Sequence, residues 1–274
     1  MGKKRLDVLL VERNLIETRE KAKRVIMAGL VFSDEVRMDK PGIKVDEEIP
    51  LKIKGKLIPY VGRGGLKLEK ALQQFSLNLE DKIMMDIGSS TGGFTDCALQ
   101  NGVQLCYAID VGYNQLDWKL RNDDRVVVME RTNFRYVTPD MITKGRPDFA
   151  TIDVSFISLK LILPVLGKLL ESNSDVVALI KPQFEAGREQ VGKKGIVRDR
   201  KVHNQVLENT IRFAEDEGFQ LLALTFSPIT GGDGNIEFLA HFGWKKDDPV
   251  DQEKIEIEQV VATAHQDLTN KQTN

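Results

Sequence analysis

The stretch Met85-Asp-Ile-Gly-Ser-Ser-Thr-Gly-Gly-Phe94 decides the fold. Its first residues close an apolar run of strand length, the glycines make a bare turn, and "FTDCALQ" continues as a helix. The spacing is G-x-x-x-G-G, whereas a dinucleotide site needs G-x-G-x-x-G, and no Lys followed by Ser or Thr turns it into a phosphate P-loop. Asp86, just before the turn, would repel a phosphate. It suits a ligand that carries a cation or an amino-acid group.

Outward from this turn, apolar runs alternate with helical patterns. "KIMMDIG", "LCYAID", "RVVVME", "PDFATIDVS", "DVVALIKP", "QLLALTFS" and "IEFLAHF" read as strands. Helices are clearest at 94–101, 158–170 and 202–217. This alternation predicts a mostly parallel sheet covered on both faces, an α/β domain whose ligands sit beyond the carboxyl ends of the strands. Asp86, Gly88, Asp110, Asp153 and Lys181 are the candidates at those ends, and Asp110 is placed to accept hydrogen bonds from ribose hydroxyls.

Composition limits the rest. With 274 residues, 41% apolar and 29% charged, the chain has room for one α/β domain and a smaller module. No apolar run approaches membrane-span length and no leader pattern opens the chain, so a cytoplasmic protein is expected. Cys97 and Cys106 lack metal-ligand spacing and read as buried packing residues; no metal site is expected. The first 70 residues are net basic and the remainder net acidic, which suggests a polyanion met by the N-terminal part.

That part reads as a small α+β module. "RLDVLLVER" (5–13) is a short helix, and "IETREKAKRVIMAGLV" is a second, with Thr18 as N-cap, Ala22, Val25 and Ile26 as its apolar stripe, and Gly29 as its end. Short strands follow around "DKPG". This pattern resembles the S4 RNA-binding domain. The resemblance implies RNA contacts from Arg19, Lys23 and Arg24 on the second helix, with Arg5 beside them, mainly to phosphates. "GKLIPYVGRGG" (55–65) has no period and reads as a linker, with Arg63 as a further basic candidate. The expected boundaries are 1–57 for the S4-like domain, 58–65 for the linker, 66–246 for the catalytic domain, and 247–274 for a C-terminal helix and frayed tail.

The glycine turn, with Asp86 and Asp110, resembles the S-adenosylmethionine site of Rossmann-like methyltransferases. There is no Asn-Pro-Pro-Tyr-like tetrapeptide for exocyclic amines, and no cysteine at a strand end for attack on pyrimidine carbons. Instead Lys67 in "GRGGLKLEKA", Asp153 in "TIDVSF", Lys181 in "LIKPQF" and Glu237 in "NIEFL" resemble, in order and placement, the Lys-Asp-Lys-Glu tetrad of FtsJ-like RNA 2'-O-methyltransferases. A ribose hydroxyl must lose its proton as it attacks, and a lysine with pKa ~10.4 is a poor base until a second cation and desolvation lower that value. Lys181 is therefore expected to receive or steer the 2'-OH proton, Lys67 to supply the neighbouring charge, and Asp153 and Glu237 to orient both amines.

An S4 module joined to an FtsJ-like domain with "VGRGGLKL" and "DIGSSTGGFTD" resembles the TlyA (hemolysin A-like) family. That resemblance implies a seven-stranded fold and S-adenosylmethionine-dependent 2'-O-methylation of cytidine in ribosomal RNA. It places Asp86, Gly88, Ser89, Thr91, Gly92, Gly93, Phe94, Asp110 and Asp153 around the cofactor, and Asn133 in "RTNF" near the adenine. The basic loop "EAGREQVGKKGIVRD" (185–199), with Arg188, Lys193, Lys194 and Arg198, could close over RNA or be merely solvated. The expected partners are ribosomal RNA or ribosomal subunits, not DNA or membrane. Two rival readings are a membrane-active hemolysin and a non-catalytic RNA-binding or assembly factor.

Overall fold

The computed structural model describes residues 2–27, 29–54, 58–231, 234–247 and 255–270, and the chain divides into two units at Arg63. In the first unit, β1 (Lys3–Arg5) leads into α1 (Leu6–Glu12), then α2 (Arg19–Met27), the hairpin β2 (Val31–Ser33) and β3 (Val36–Met38), then β4 (Lys44–Asp46) and β5 (Lys52–Ile53). The Thr18 hydroxyl accepts from the Lys21 N–H at 3.2 Å, and Gly29 ends α2 at φ +71° while the Leu30 N–H returns to the Val25 carbonyl. Leu6, Leu9 and Leu10 of α1 pack on Ala22, Val25 and Ile26 of α2, with Val31 and Val45 closing the core. β1 was not expected: it pairs antiparallel with β4, and three residues reading Lys-Lys-Arg have no apolar period to reveal them.

The second unit opens with α3 (Gly65–Gln74) and continues through β6 (Ile83–Ile87), α4 (Gly93–Gln100), β7 (Leu105–Ile109), α5 (Trp118–Arg121), β8 (Val126–Met129) and β9 (Phe149–Ile152). It then runs through α6 (Leu163–Leu169), β10 (Ser174–Ile180), α7 (Pro182–Glu185), α8 (Arg200–Asp216), β11 (Phe219–Phe226), β12 (Phe238–Trp244) and α9 (Ile257–Asn270). All seven expected strands form one sheet in the order β11-β12-β10-β9-β6-β7-β8. The inner strands β9 and β12 are buried throughout, the polar Thr151 and His241 included; β8, on an edge, is only half-buried. The helical pattern at 158–170 resolves into a short 3-10 turn at Leu159–Leu161 followed by α6. Val261, Ala264 and Leu268 of α9 are buried, and the helix packs on α8 and β11. The expected frayed end (271–274) and part of the expected linker (55–57) lie outside the described residues.

Two features of this sheet set the site. The strand order reverses between β6 and β9, which opens a crevice at their carboxyl ends. β12 alone runs against the other strands, pairing antiparallel with both β10 and β11, with Ile180 opposite Phe238. Its reversed direction brings the start of β12, and Glu237 just before it, to the same end of the sheet as Asp153 and Lys181.

Candidate active site

The turn after β6 fits a cofactor cradle. Gly88 has φ +86°, and a Cβ there would lie 2.5 Å from the Asp153 carbonyl oxygen, so only glycine lets the two strand ends approach this closely. Gly92, at φ +91°, begins α4 under the same constraint, because a Cβ would meet Leu120 and Leu116. Asp110 accepts the Ser90 N–H on one carboxylate oxygen and the Gly112 N–H on the other, both at 2.7 Å. Each oxygen keeps a lone pair for a further donor. Thr91 is exposed at the turn; Ser89 and the Gly93 and Phe94 start of α4 are buried.

Asp86 departs from its expected role. It is fully buried, accepting from the Thr95 N–H and hydroxyl on one oxygen and from the Thr151 hydroxyl on the other. Burial pushes its carboxyl up to about 6, against the pull of those hydrogen bonds. It therefore ties β6 to α4 and β9 and positions the glycine turn, without presenting a carboxylate to a ligand. Asn133 is half-buried, and its side-chain oxygen caps the turn at Phe134–Tyr136 by accepting the Arg135 N–H.

The four tetrad residues converge. Lys67 lies on the buried face of α3 with Leu68 and Ala71, and its ammonium donates to Glu237 at 2.9 Å and Asp153 at 3.2 Å. Lys181 meets the other oxygen of Asp153 at 2.6 Å and donates to Ser155 at 3.1 Å. Gln183 reaches the second oxygen of Glu237 at 3.3 Å. Lys67 and Lys181 are each 7% exposed and Glu237 is 2% exposed, so these charges have been taken out of water at a cost that pairing alone rarely recovers. Stability is a weak reason for such a cluster; chemistry is a better one.

Burial works against charge at each position. At Lys67 the attraction of Asp153 and Glu237 outweighs it and holds the pKa above the usual lysine value. At Asp153 the two lysines outweigh it and hold the carboxyl below its usual range. Lys67 is thus a fixed cation. Lys181 donates to Asp153 and Ser155, which leaves a third position on its Nζ.

Several neighbours escaped the sequence reading. Ser155 and Gln183 each stand two residues beyond a tetrad member, in "DVS" and "KPQ", and carry no motif of their own. Phe156 is held at φ +64° and is 91% exposed, with its ring 5.0 Å from that of Phe184. Together with Arg135, Ile157, Ser158 and Leu161 these rings line an open groove, and Lys181 Nζ lies 5.9 Å from the Phe184 ring. A large aromatic at positive φ is an outlier, the kind that persists where surrounding structure enforces it for function.

The expected RNA contacts fall on both units. In the first, Arg5 and Arg19 both donate to the buried Asp7 at 2.9 Å, and these bonds hold its carboxyl well below the usual range. Lys23 pairs with Glu20 at 3.5 Å, Arg24 is half-buried, and Arg63 is exposed. In the second, Arg188, Lys193, Lys194 and Arg198 are exposed on the loop that follows α7. Cys97 and Cys106 are fully buried, as expected of packing residues.

The FtsJ-like methyltransferase family matches residues 60–244 and the S4 domain matches residues 4–48. YqxC of Bacillus subtilis (strain 168), named as a proposed rRNA methyltransferase, is 66% identical over 99% of this chain and 98% of its own. The 16S/23S rRNA (cytidine-2'-O)-methyltransferase TlyA of Mycobacterium tuberculosis is 40% identical over 85% of this chain and 87% of its own. A solved structure from Streptococcus thermophilus, named as a proposed hemolysin, is 57% identical, with TM-score 0.80 and 100% of both chains covered. The chain therefore belongs to the TlyA family of FtsJ-like, S-adenosylmethionine-dependent methyltransferases, with an S4 domain at its N-terminal end.

Proposed function

We propose that this enzyme methylates the 2'-hydroxyl of cytidine in ribosomal RNA, with Lys181 steering or receiving the hydroxyl proton. The observation that carries the reading is the buried Lys67–Asp153–Lys181–Glu237 cluster beside the glycine turn. The relatives named as rRNA cytidine-2'-O-methyltransferases supply the substrate.

When bound, S-adenosylmethionine supplies an electrophilic sulfonium methyl. The residues that would hold it are Gly88, Ser89, Thr91 and Gly92 in the turn, Asp110 toward the ribose hydroxyls, and Asn133 toward the adenine. Asp153 grips both lysines, one oxygen each, and Glu237 with Gln183 fixes Lys67 from the other side. Lys181 meets the ribose 2'-hydroxyl on its third Nζ position and takes its proton, or aligns it for release, as the oxygen attacks. Placing the oxygen in line accounts for much of the rate. The exposed Phe156 beside Phe184 suits stacking of an unstacked base, the usual way single-stranded RNA is held by proteins. Arg5, Arg19, Lys23, Arg24, Arg63, Lys193, Lys194 and Arg198 would contact phosphates of the same RNA.

On this reading the enzyme works in the cytoplasm, on ribosomal RNA or ribosomal subunits. The hemolysin reading has a relative's name behind it, Hemolysin A of Brachyspira hyodysenteriae, 44% identical over 87% of this chain. Among the described residues no helix is long and apolar enough to cross a membrane.

The test is methyl transfer from labelled S-adenosylmethionine to separated ribosomal subunits and naked rRNA, followed by nuclease digestion. Label in 2'-O-methylcytidine is expected. Label in a base-methylated nucleotide, or none in any RNA, would refute the assignment.

A further inference from the structure

Asn235 stands two residues before Glu237 and is 3% exposed. Its carboxamide is spent on the backbone of one other segment: Oδ1 accepts the Val197 N–H and Nδ2 donates to the Gly195 carbonyl, both at 2.9 Å. Its own carbonyl accepts the Gly231 N–H at 2.9 Å, and Gly231 packs so near Glu237 that a Cβ there would lie 2.7 Å from the carboxylate. The Val197 carbonyl bonds to His203 Nε2 at 3.2 Å. Both polar backbone groups of Val197 are thus held by side chains.

The segment pinned in this way is the basic loop. It leaves α7, which starts one residue after Lys181 and is itself anchored where Glu185 accepts the Ser158 hydroxyl at 2.6 Å and the Leu159 N–H at 2.8 Å. The loop carries Arg188, Lys193, Lys194 and Arg198 outward, turns where Lys194 and Gly195 take positive φ, and returns to Asn235. One end therefore departs from Lys181 and the other is fastened next to Glu237. Among the described residues no carboxylate pairs with any of these four exposed cations, which outnumber the two acids of residues 186–199, Glu189 and Asp199. Cations left unpaired on a loop tied at both ends are arranged for an anion from outside the chain.

We propose that Asn235 is a positioning residue that holds residues 186–199 as a fixed cationic strap on the RNA phosphates flanking the methylated ribose. The inference rests on the RNA-methylating reading of the site and adds how the substrate is held there. A free loop of this length would have to be ordered when RNA binds, which weakens affinity; a loop stapled by Asn235 is ordered beforehand.

The experiment compares Asn235→Ala, Lys193→Ala/Lys194→Ala and the combined variant. Binding to separated ribosomal subunits and naked rRNA is measured over a range of salt, with cofactor affinity measured alongside. Losing Asn235 should weaken RNA binding roughly tenfold and lower the salt slope by about 0.7 to 0.9 for each phosphate no longer neutralised. Cofactor affinity should hold, and the combined variant should be little weaker than the lysine variant alone. Hydrogen exchange at Gly195–Val197 should rise in Asn235→Ala. Should that variant not fold, Asn235→Asp keeps the acceptor for Val197 but not the donor to Gly195, and is expected to show an intermediate effect. Wild-type binding by the lysine variant would overturn the strap. Full affinity and salt slope in Asn235→Ala, with the lysine variant weakened, would overturn the role of Asn235. Failure of the wild type to bind any RNA would instead refute the RNA reading itself.

Discussion

Asp153 and Lys181 touch at 2.6 Å, yet replacing them should have different consequences. Lys181→Ala removes one cation and leaves Lys67 between two acids, so the fold should survive while methyl transfer falls. Asp153→Asn leaves two buried lysines facing one carboxylate. Breaking such a cluster typically costs about 3–5 kcal/mol, and urea denaturation should show a loss at the lower end of that range, since Asp153 is 19% exposed. Asp86 gives a pH test. Its folded pKa of about 6 lies above the unfolded value, so the unfolded chain ionises first as pH rises. Its contribution should become less favourable from about pH 4 to about pH 6 and then level off, by about 3 kcal/mol. The stability difference between wild type and Asp86→Asn across that window is the measurement. The tetrad was legible because lysines at strand and helix ends are conspicuous. Asp86 was misjudged because position alone does not say whether a carboxylate faces a ligand or two threonines. Ser155, Gln183 and Asn235 carry no chemistry visible without their partners.

Among the elements, the glycine turn and β12 do most to place the site. Gly88→Ala would force an L-residue to φ +86° and drive a Cβ into the Asp153 carbonyl, so it should lose about 1–3 kcal/mol of stability and weaken cofactor binding measurably by calorimetry. The seven strands could be read from their apolar runs, because buried strands need little more than length and flanking turns. The reversal of β12 could not, since "IEFLAHF" reads the same in either direction; yet without it Glu237 would lie at the opposite end of the sheet from Lys181. α8 and α9 are joined by His203, whose Nδ1 lies 2.9 Å from His265 Nε2. Burial holds the His203 pKa down to about 4. The stability it contributes as a neutral ring is present above its unfolded pKa near 6.5 and is lost as pH falls toward 4, and His203→Asn should flatten that part of the pH–stability curve.

At the scale of the whole molecule, a net-basic front end precedes a net-acidic remainder. Arg5 and Arg19, held on Asp7, give the S4 unit a preset guanidinium pair. Arg19→Ala should weaken RNA binding, reduce the salt slope by about 0.7 to 0.9, and leave turnover at saturating RNA close to wild type. The S4 core was legible in the spacing of Ala22, Val25 and Ile26; the pairing of Arg19 with Asp7 was not, because those residues are twelve positions apart and neither element alone shows the other. The most direct test of the central claim is a single-turnover assay of wild type and Lys181→Ala on the ribosomal particle that accepts label, with cofactor binding checked in both. The proposed function predicts 2'-O-methylcytidine from the wild type and a loss of transfer in Lys181→Ala with cofactor binding retained. Transfer by Lys181→Ala at the wild-type rate would contradict the assignment of the proton to Lys181.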